Sequence, residues 1–222
     1  MQTEEKYGLL KRWLLLIVGL VTLSFGIAFS IKSDLGTSPI SSVPYVISLF
    51  TDFSIGNLTI IMHSFFIVIQ MLLLRKKFEK VQLLQLPVTI AFGYLIDLCL
   101  WLMEGISPLN YLMQWILCII GILMVSTGIY LQVNSKLVTL AQIGLVVSVC
   151  RVLPLKFGNA KIILDVSFVV IATILSLHFM DGLYGIREGT AAAAIFIGLF
   201  TRLIHYLLDL RRPPANPNSI DQ

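Results

Sequence analysis

Runs of about 20 apolar residues recur along this chain, the length that a hydrocarbon core about 30 Å thick imposes on a spanning helix. Six segments reach it: 13–31, 58–74, 83–103, 111–133, 162–180 and 190–209. Only helices or closed barrels satisfy their own backbone hydrogen bonds in lipid, so continuous runs of this length specify helices. The charged fraction, 13%, is about half the roughly 25% of a soluble domain. The expectation is an all-α polytopic membrane protein. A net charge of +4 needs no nucleic acid, because basic loops orient membrane spans. Cys99, Cys118 and Cys150 lie in apolar segments without metal-ligand spacing and read as packing residues. Lys6, Lys11 and Arg12 followed by an apolar run imitate a secretory signal. The run is longer than a signal core, however, and it reads as the first span.

Two shorter apolar pieces, 39–50 and 137–150, are ambiguous by length, and loop charges arbitrate. If they do not span, Lys6/Lys11/Arg12, Arg75 to Lys80, Lys136/Arg151/Lys156/Lys161 and Arg211/Arg212 all fall on one side. The loop 104–110 on the other side then has no lysine or arginine, and 181–187 has only Arg187. The positive-inside rule therefore predicts six spans with cytoplasmic N- and C-termini. The tail 211–222 reads as a solvated cytoplasmic end.

Shifting the chain by 102 residues superposes Trp13 on Trp115, Gly19 on Gly121, Ser24 on Ser126 and Gly26 on Gly128. Ser33, Leu35 and Thr37 meet Ser135, Leu137 and Thr139, and Gly56-Asn57 meets Gly158-Asn159. Over residues 13–68, 16 of 56 positions are identical without a gap. A small further shift brings Gly93 onto Gly198. The expected organisation is a terminus at 1–12, a first repeat at 13–104, a second at 105–210 and the tail. Each repeat holds three spans and one short helix. An odd number of spans inverts the second repeat relative to the first, as in many secondary transporters, whose sites lie near the midplane.

The piece "KSDLGTSP" after the first span is too polar to face lipid. Thr37 or Ser38 before Pro39 reads as a capped helix start. A helix over 39–50 would be about 18 Å long at 1.5 Å per residue, half a bilayer, so it is either re-entrant or interfacial. In the re-entrant case its positive end points into the protein, and Lys32, Asp34, Gly36, Thr37, Ser38 and, from the second repeat, Thr139 become candidate solute-binding residues. Intramembrane ionisable residues are costly and face a partner or a wet cavity. His63 aligns with Asp165, while Asp97 and Arg202 each follow a matched glycine by four residues. The expected pairs are His63–Asp97 and Asp165–Arg202, structural or functional. No nucleotide loop, His-Glu-x-x-His, paired-cysteine site or nucleophile elbow is present, so neither an enzyme nor a cofactor is expected.

The segment "KSDLGTSPISSVPYVISLFTDFSIGNLTIIMHSFFIVIQMLLLRKKF" resembles the YczE/YyaS group of bacterial integral membrane proteins, relatives of the broader YitT family. The "LGTSP" entry, the Gly-Asn before the next span, the basic "RKKF" end and the "FGYLIDL" third span carry the resemblance. It implies a multi-pass protein of a bacterial plasma membrane and, the group being largely uncharacterised, no substrate. The inverted repeat favours a small secondary transporter for a small polar solute, an anion among the options. The alternatives are the substrate-capturing subunit of an ATP-driven importer, or an accessory membrane protein that moves no solute. The partners expected are the lipid bilayer and that solute; a homodimer or an energising subunit is left open.

Overall fold

The computed structural model describes residues 2–209; the expected tail lies outside the described residues. Eight helices follow one another: α1 (Gln2–Lys32), α2 (Pro39–Ser48), α3 (Ile55–Leu74), α4 (Gln85–Leu102), α5 (Tyr111–Ser135), α6 (Ala141–Val152), α7 (Phe157–Met180) and α8 (Glu188–Asp209). Two 3-10 turns, Arg75–Lys77 and Lys80–Leu84, carry the basic loop between α3 and α4. Among the described residues, five helices are long and apolar enough to cross a membrane: α1 from Gly8, α3, α4, α5 and α7. The sixth expected span corresponds to α8, a helix of 22 residues.

Large side chains such as Phe65, Leu72, Trp101, Ile162 and Ile174 are each at least 60% exposed. A soluble protein rarely presents so continuous an apolar surface, whereas against lipid tails it costs nothing. This is the architecture of a multi-pass membrane protein.

At the centre, α1 and α5 make the most extensive helix–helix contact, and glycine makes it possible. They run antiparallel, with Gly19 against Gly128 and Gly26 against Gly121. A Cβ on Gly26 would lie 3.0 Å from the Gly121 carbonyl oxygen, and one on Gly121 would lie 2.9 Å from that of Gly26. Small residues let helix backbones approach to this distance in membranes, where no hydrophobic drive brings helices together. Leu16, Leu20, Leu23 and Ile27 of α1, Val125 of α5 and Phe92 and Ile96 of α4 bury themselves around this pair.

The remaining contacts come in matched sets. α2 packs on α7 as α6 packs on α3; α1 meets α4 as α5 meets α8; α2 meets α3 as α6 meets α7. Phe66 and Phe168, 102 positions apart, pack on each other as tilted rings with centroids 5.3 Å apart. The turns after α1 and α5 also match. Ser33 Oγ donates to Ser30 O and accepts from Leu35 N, while Ser135 Oγ donates to Gln132 O and accepts from Leu137 N. Asp34 and Lys136 between them adopt φ of 57° and 52°. One contact lacks its counterpart: α3 packs closely on α4, but α7 and α8 scarcely touch among the described residues.

The glycine contact makes a differential prediction. Gly26→Val places its Cβ 2.6 Å from Val125 N, and overpacking of this kind costs about 1–3 kcal/mol. Gly198→Ala meets nothing within 4 Å. Thermal unfolding in detergent should show a lowered midpoint for the first and no loss for the second.

Candidate functional site

Where α7 and α8 stand apart, a cavity of about 1160 Å³ opens. Its wall is largely aliphatic, with Leu23 and Ile27 of α1, Val125 and Ile129 of α5, Val166, Val169 and Val170 of α7, and Ala194, Ile195 and Ile197 of α8. Both short helices begin at it. Ser38, Pro39, Ile40 and Ser41 come from the start of α2, and Thr139, Gln142 and Ile143 from the start of α6. His63, Lys161, Asp165, Arg187, Thr190 and Arg202 complete the polar part.

The segment leading into α2 runs through the interior. Ser33, Leu35, Gly36, Thr37 and Ser38 are buried, Leu35 and Thr37 almost completely. Its backbone is held by the loop before α8: Gly36 forms an antiparallel bridge with Ile186, and Gly189 N–H donates to Leu35 O at 2.9 Å. Gly36 has a φ of 94°, a conformation side chains rarely adopt, and a Cβ there would fall on Thr190 Oγ1. Asp34 faces outward and pairs with Arg187, which also donates to the Asp34 carbonyl at 2.9 Å. Lys32 Nζ reaches the Glu104 carbonyl at 3.4 Å. Neither Lys32 nor Asp34 lines the cavity, so of the six expected binding residues only Ser38 and Thr139 face it directly.

Pro39 opens α2 as expected, and the helix ends at Ser48, two residues short of the expected bound. No hydroxyl caps it, which corrects the expectation for Thr37 and Ser38. The Ser41 and Ser42 amides both bond the Ser38 carbonyl, at 2.9 and 3.0 Å. With its natural donor taken, Ser38 Oγ donates instead to Ser41 Oγ at 3.0 Å. Thr37 Oγ1 is buried without a partner. The second short helix begins at Ala141, later than the expected Leu137, because Lys136 turns the chain in the left-handed conformation.

The expected ionisable pairs do not form. His63 lies 1% exposed between Phe66 and Phe92, ring centroids 5.6 and 6.0 Å away, and its Nδ1 has no partner. Asp97 instead closes the start of α3: Ser54 Oγ donates to Oδ2 at 2.6 Å and the Gly56 amide to Oδ1 at 2.7 Å. A carboxylate is favoured at a helix N-terminus by the free N–H groups and the helix dipole. Asp165 pairs with Lys161, one turn earlier on α7, through both oxygens. That partner was readable from the four-residue spacing. Arg202 lines the cavity and makes no ion pair with a described residue. The joining of Asp97 to Gly56 and of Arg187 to Asp34 has no local sequence signal, because each bridges elements distant in the chain. Among the described residues no group of three or more His, Cys, Asp or Glu could hold a metal ion.

A family model described as a family of unknown function, DUF6198, matches residues 10–206. The uncharacterized protein YyaS of Bacillus subtilis (strain 168) is 30% identical over 118 residues, which cover 52% of this chain and 57% of that relative. The matched region is thus little over half the length of either chain. No solved structure matches.

Asp97 holds α3 to α4 through two hydrogen bonds to a charged acceptor, each worth about 1.5–3 kcal/mol. Asp97→Ala should lower the unfolding free energy by about 3 kcal/mol or more, measured by denaturant titration in mixed micelles. Combined with His63→Leu the losses should add to within about 0.5 kcal/mol; a larger coupling would mean that the two side chains meet after all.

Proposed function

The chain belongs to the DUF6198 family, whose function is unknown, and we infer that it is a small permease, moving a solute through the cavity where its two short helices begin. That convergence is the observation that carries the reading. In inverted-repeat transporters, binding sites lie where broken or half-length helices meet, and their N-termini and irregular backbone face the solute. Here the starts of α2 and α6 stand at one cavity.

An inverted duplication underlies the reading and has independent support. Residues 102 apart share turn hydrogen bonds, backbone angles and antiparallel glycine contacts. With α8 counted as the sixth span, each half has three spans and one re-entrant helix, and the distribution of basic loops favours cytoplasmic termini in a bacterial cell. The buried course of residues 35–38 favours re-entry over a helix lying flat at the interface.

The lining of the cavity supports a class of solute. Its aliphatic wall suits an apolar body, and Arg202 supplies a cation at the end where α7 starts and α8 finishes.

Purified protein reconstituted alone into proteoliposomes should take up members of a panel of small radiolabelled organic anions saturably and without ATP. Ala194→Trp, which fills the cavity from α8, should reduce that uptake at least tenfold without lowering thermal stability. Uptake that appears only with an added ATPase partner would replace this reading by the importer-subunit one.

A further inference from the structure

The two halves differ at one place, and the difference names a ligand. In the first half α3 and α4 are closed on each other: a Cβ on Gly56 would fall on the Gly93 carbonyl and the Asp97 carboxylate, and Asp97 accepts the Gly56 amide. Shifting by 102 residues for α3 and 105 for α4 gives the corresponding set, Gly158 on α7 with Gly198 and Arg202 on α8. Both glycines are retained, yet a Cβ on either meets nothing within 4 Å. The helices that would bring them together stand apart around the cavity.

The acid has become a base. Asp97 provides the negative charge that the start of α3 attracts. Arg202, at the matching sequence position, brings a cation to the cavity that the start of α7 also lines, and a cation cannot take the place of a carboxylate at a helix N-terminus. Lys156 at the cap of α7 supplies no side-chain acceptor, so the first amides of α7 have none from that cap. Lys161 does not alter the balance, because Asp165 takes its charge. The second half therefore has the glycines for a close contact and lacks the anion that holds the first half shut.

We propose that this anion is the ligand: an organic anion with an apolar body binds the cavity with its charged group between Arg202 and the start of α7. Its binding draws α8 onto α7 until Gly158 approaches Gly198. The apolar body extends along the valine face of α7, from Gly158 towards Val170, about 18 Å at 1.5 Å per residue. Two buried side chains on the same cavity, His63 and Thr190, each have a polar atom without a partner. A polar atom on the ligand body would satisfy them. The inference rests on the permease reading and gives it a solute class and a closing step.

Cross-linking tests it directly. Gly158→Cys and Gly198→Cys have room for the new side chains; Cys150 is replaced by serine, and the buried Cys99 and Cys118 stay. In lipid nanodiscs, the rate of cross-linking by a short bis-thiol reagent is compared with acetate, octanoate, octanol, or oleate built into the bilayer. Octanoate or oleate should raise the rate at least threefold, and acetate and octanol should not. Arg202→Gln should remove the response and Arg202→Lys should retain it. A response to oleate alone assigns the ligand to the bilayer, and a response to octanoate alone assigns it to water. A rate that neither anion changes, that octanol raises equally, or that survives Arg202→Gln overturns the inference. The readout is closure and not uptake. A protein that transports other solutes but never closes on these anions would refute this inference and leave the permease reading standing. Closure on the anions without uptake of any solute would do the reverse.

Discussion

Everything else in this molecule is arranged around the antiparallel contact of α1 and α5. Gly19 and Gly26 of one helix lie on Gly128 and Gly121 of the other, and the backbones approach so closely that no side chain fits between them. In lipid, burial of apolar surface does not drive helices together, so close packing of backbones must. Two helices lean on this pair directly, α4 on α1 and α8 on α5; α3 packs on α4, α6 on α3, and α2 and α7 on each other. The contact is self-complementary, since each helix presents a glycine, six residues and a glycine to the same pattern running the other way. A duplicated segment inserted in opposite orientation meets itself in this manner.

The departure from that symmetry is as informative as the symmetry. The other helix contacts repeat, and among the described residues the α3–α4 contact alone has no counterpart of its extent in α7 and α8. The glycines that would permit closure are kept in both halves, while the charge beside them differs. Asp97 accepts from the Gly56 amide across one pair of helices; Arg202 stands at the matching sequence position of the other pair, which is apart. On the proposal above, the charged group of a ligand takes the place in the second half that the Asp97 carboxylate holds in the first.

The helices, their order and the matched turns were legible in the sequence, because apolar length and the 102-residue register are local or simply periodic properties. Pro39 marked the start of α2, and Gly36 marked a close approach. The side-chain partners were not legible. Pairing His63 with Asp97 assumed that charges at similar depth find each other, but Asp97 was claimed by the amide of Gly56 and a hydroxyl, and His63 by two phenyl rings. Asp165 took the lysine one turn away on its own helix, which periodicity did disclose. The role of Arg187 depends on a loop meeting that joins residues 153 positions apart, and no pattern in one sequence encodes that.

The central claim is that equivalent elements of the two halves face opposite ways across the membrane. Asp34 and Lys136 occupy the same place in the two matched turns, share the same backbone conformation, and are both exposed. Single cysteines at these positions, with Cys150 replaced by serine, can be probed in intact cells with a membrane-impermeant maleimide. The account predicts that Asp34→Cys reacts from outside and that Lys136→Cys reacts only after the membrane is permeabilised. Labelling of both from the same side would contradict it.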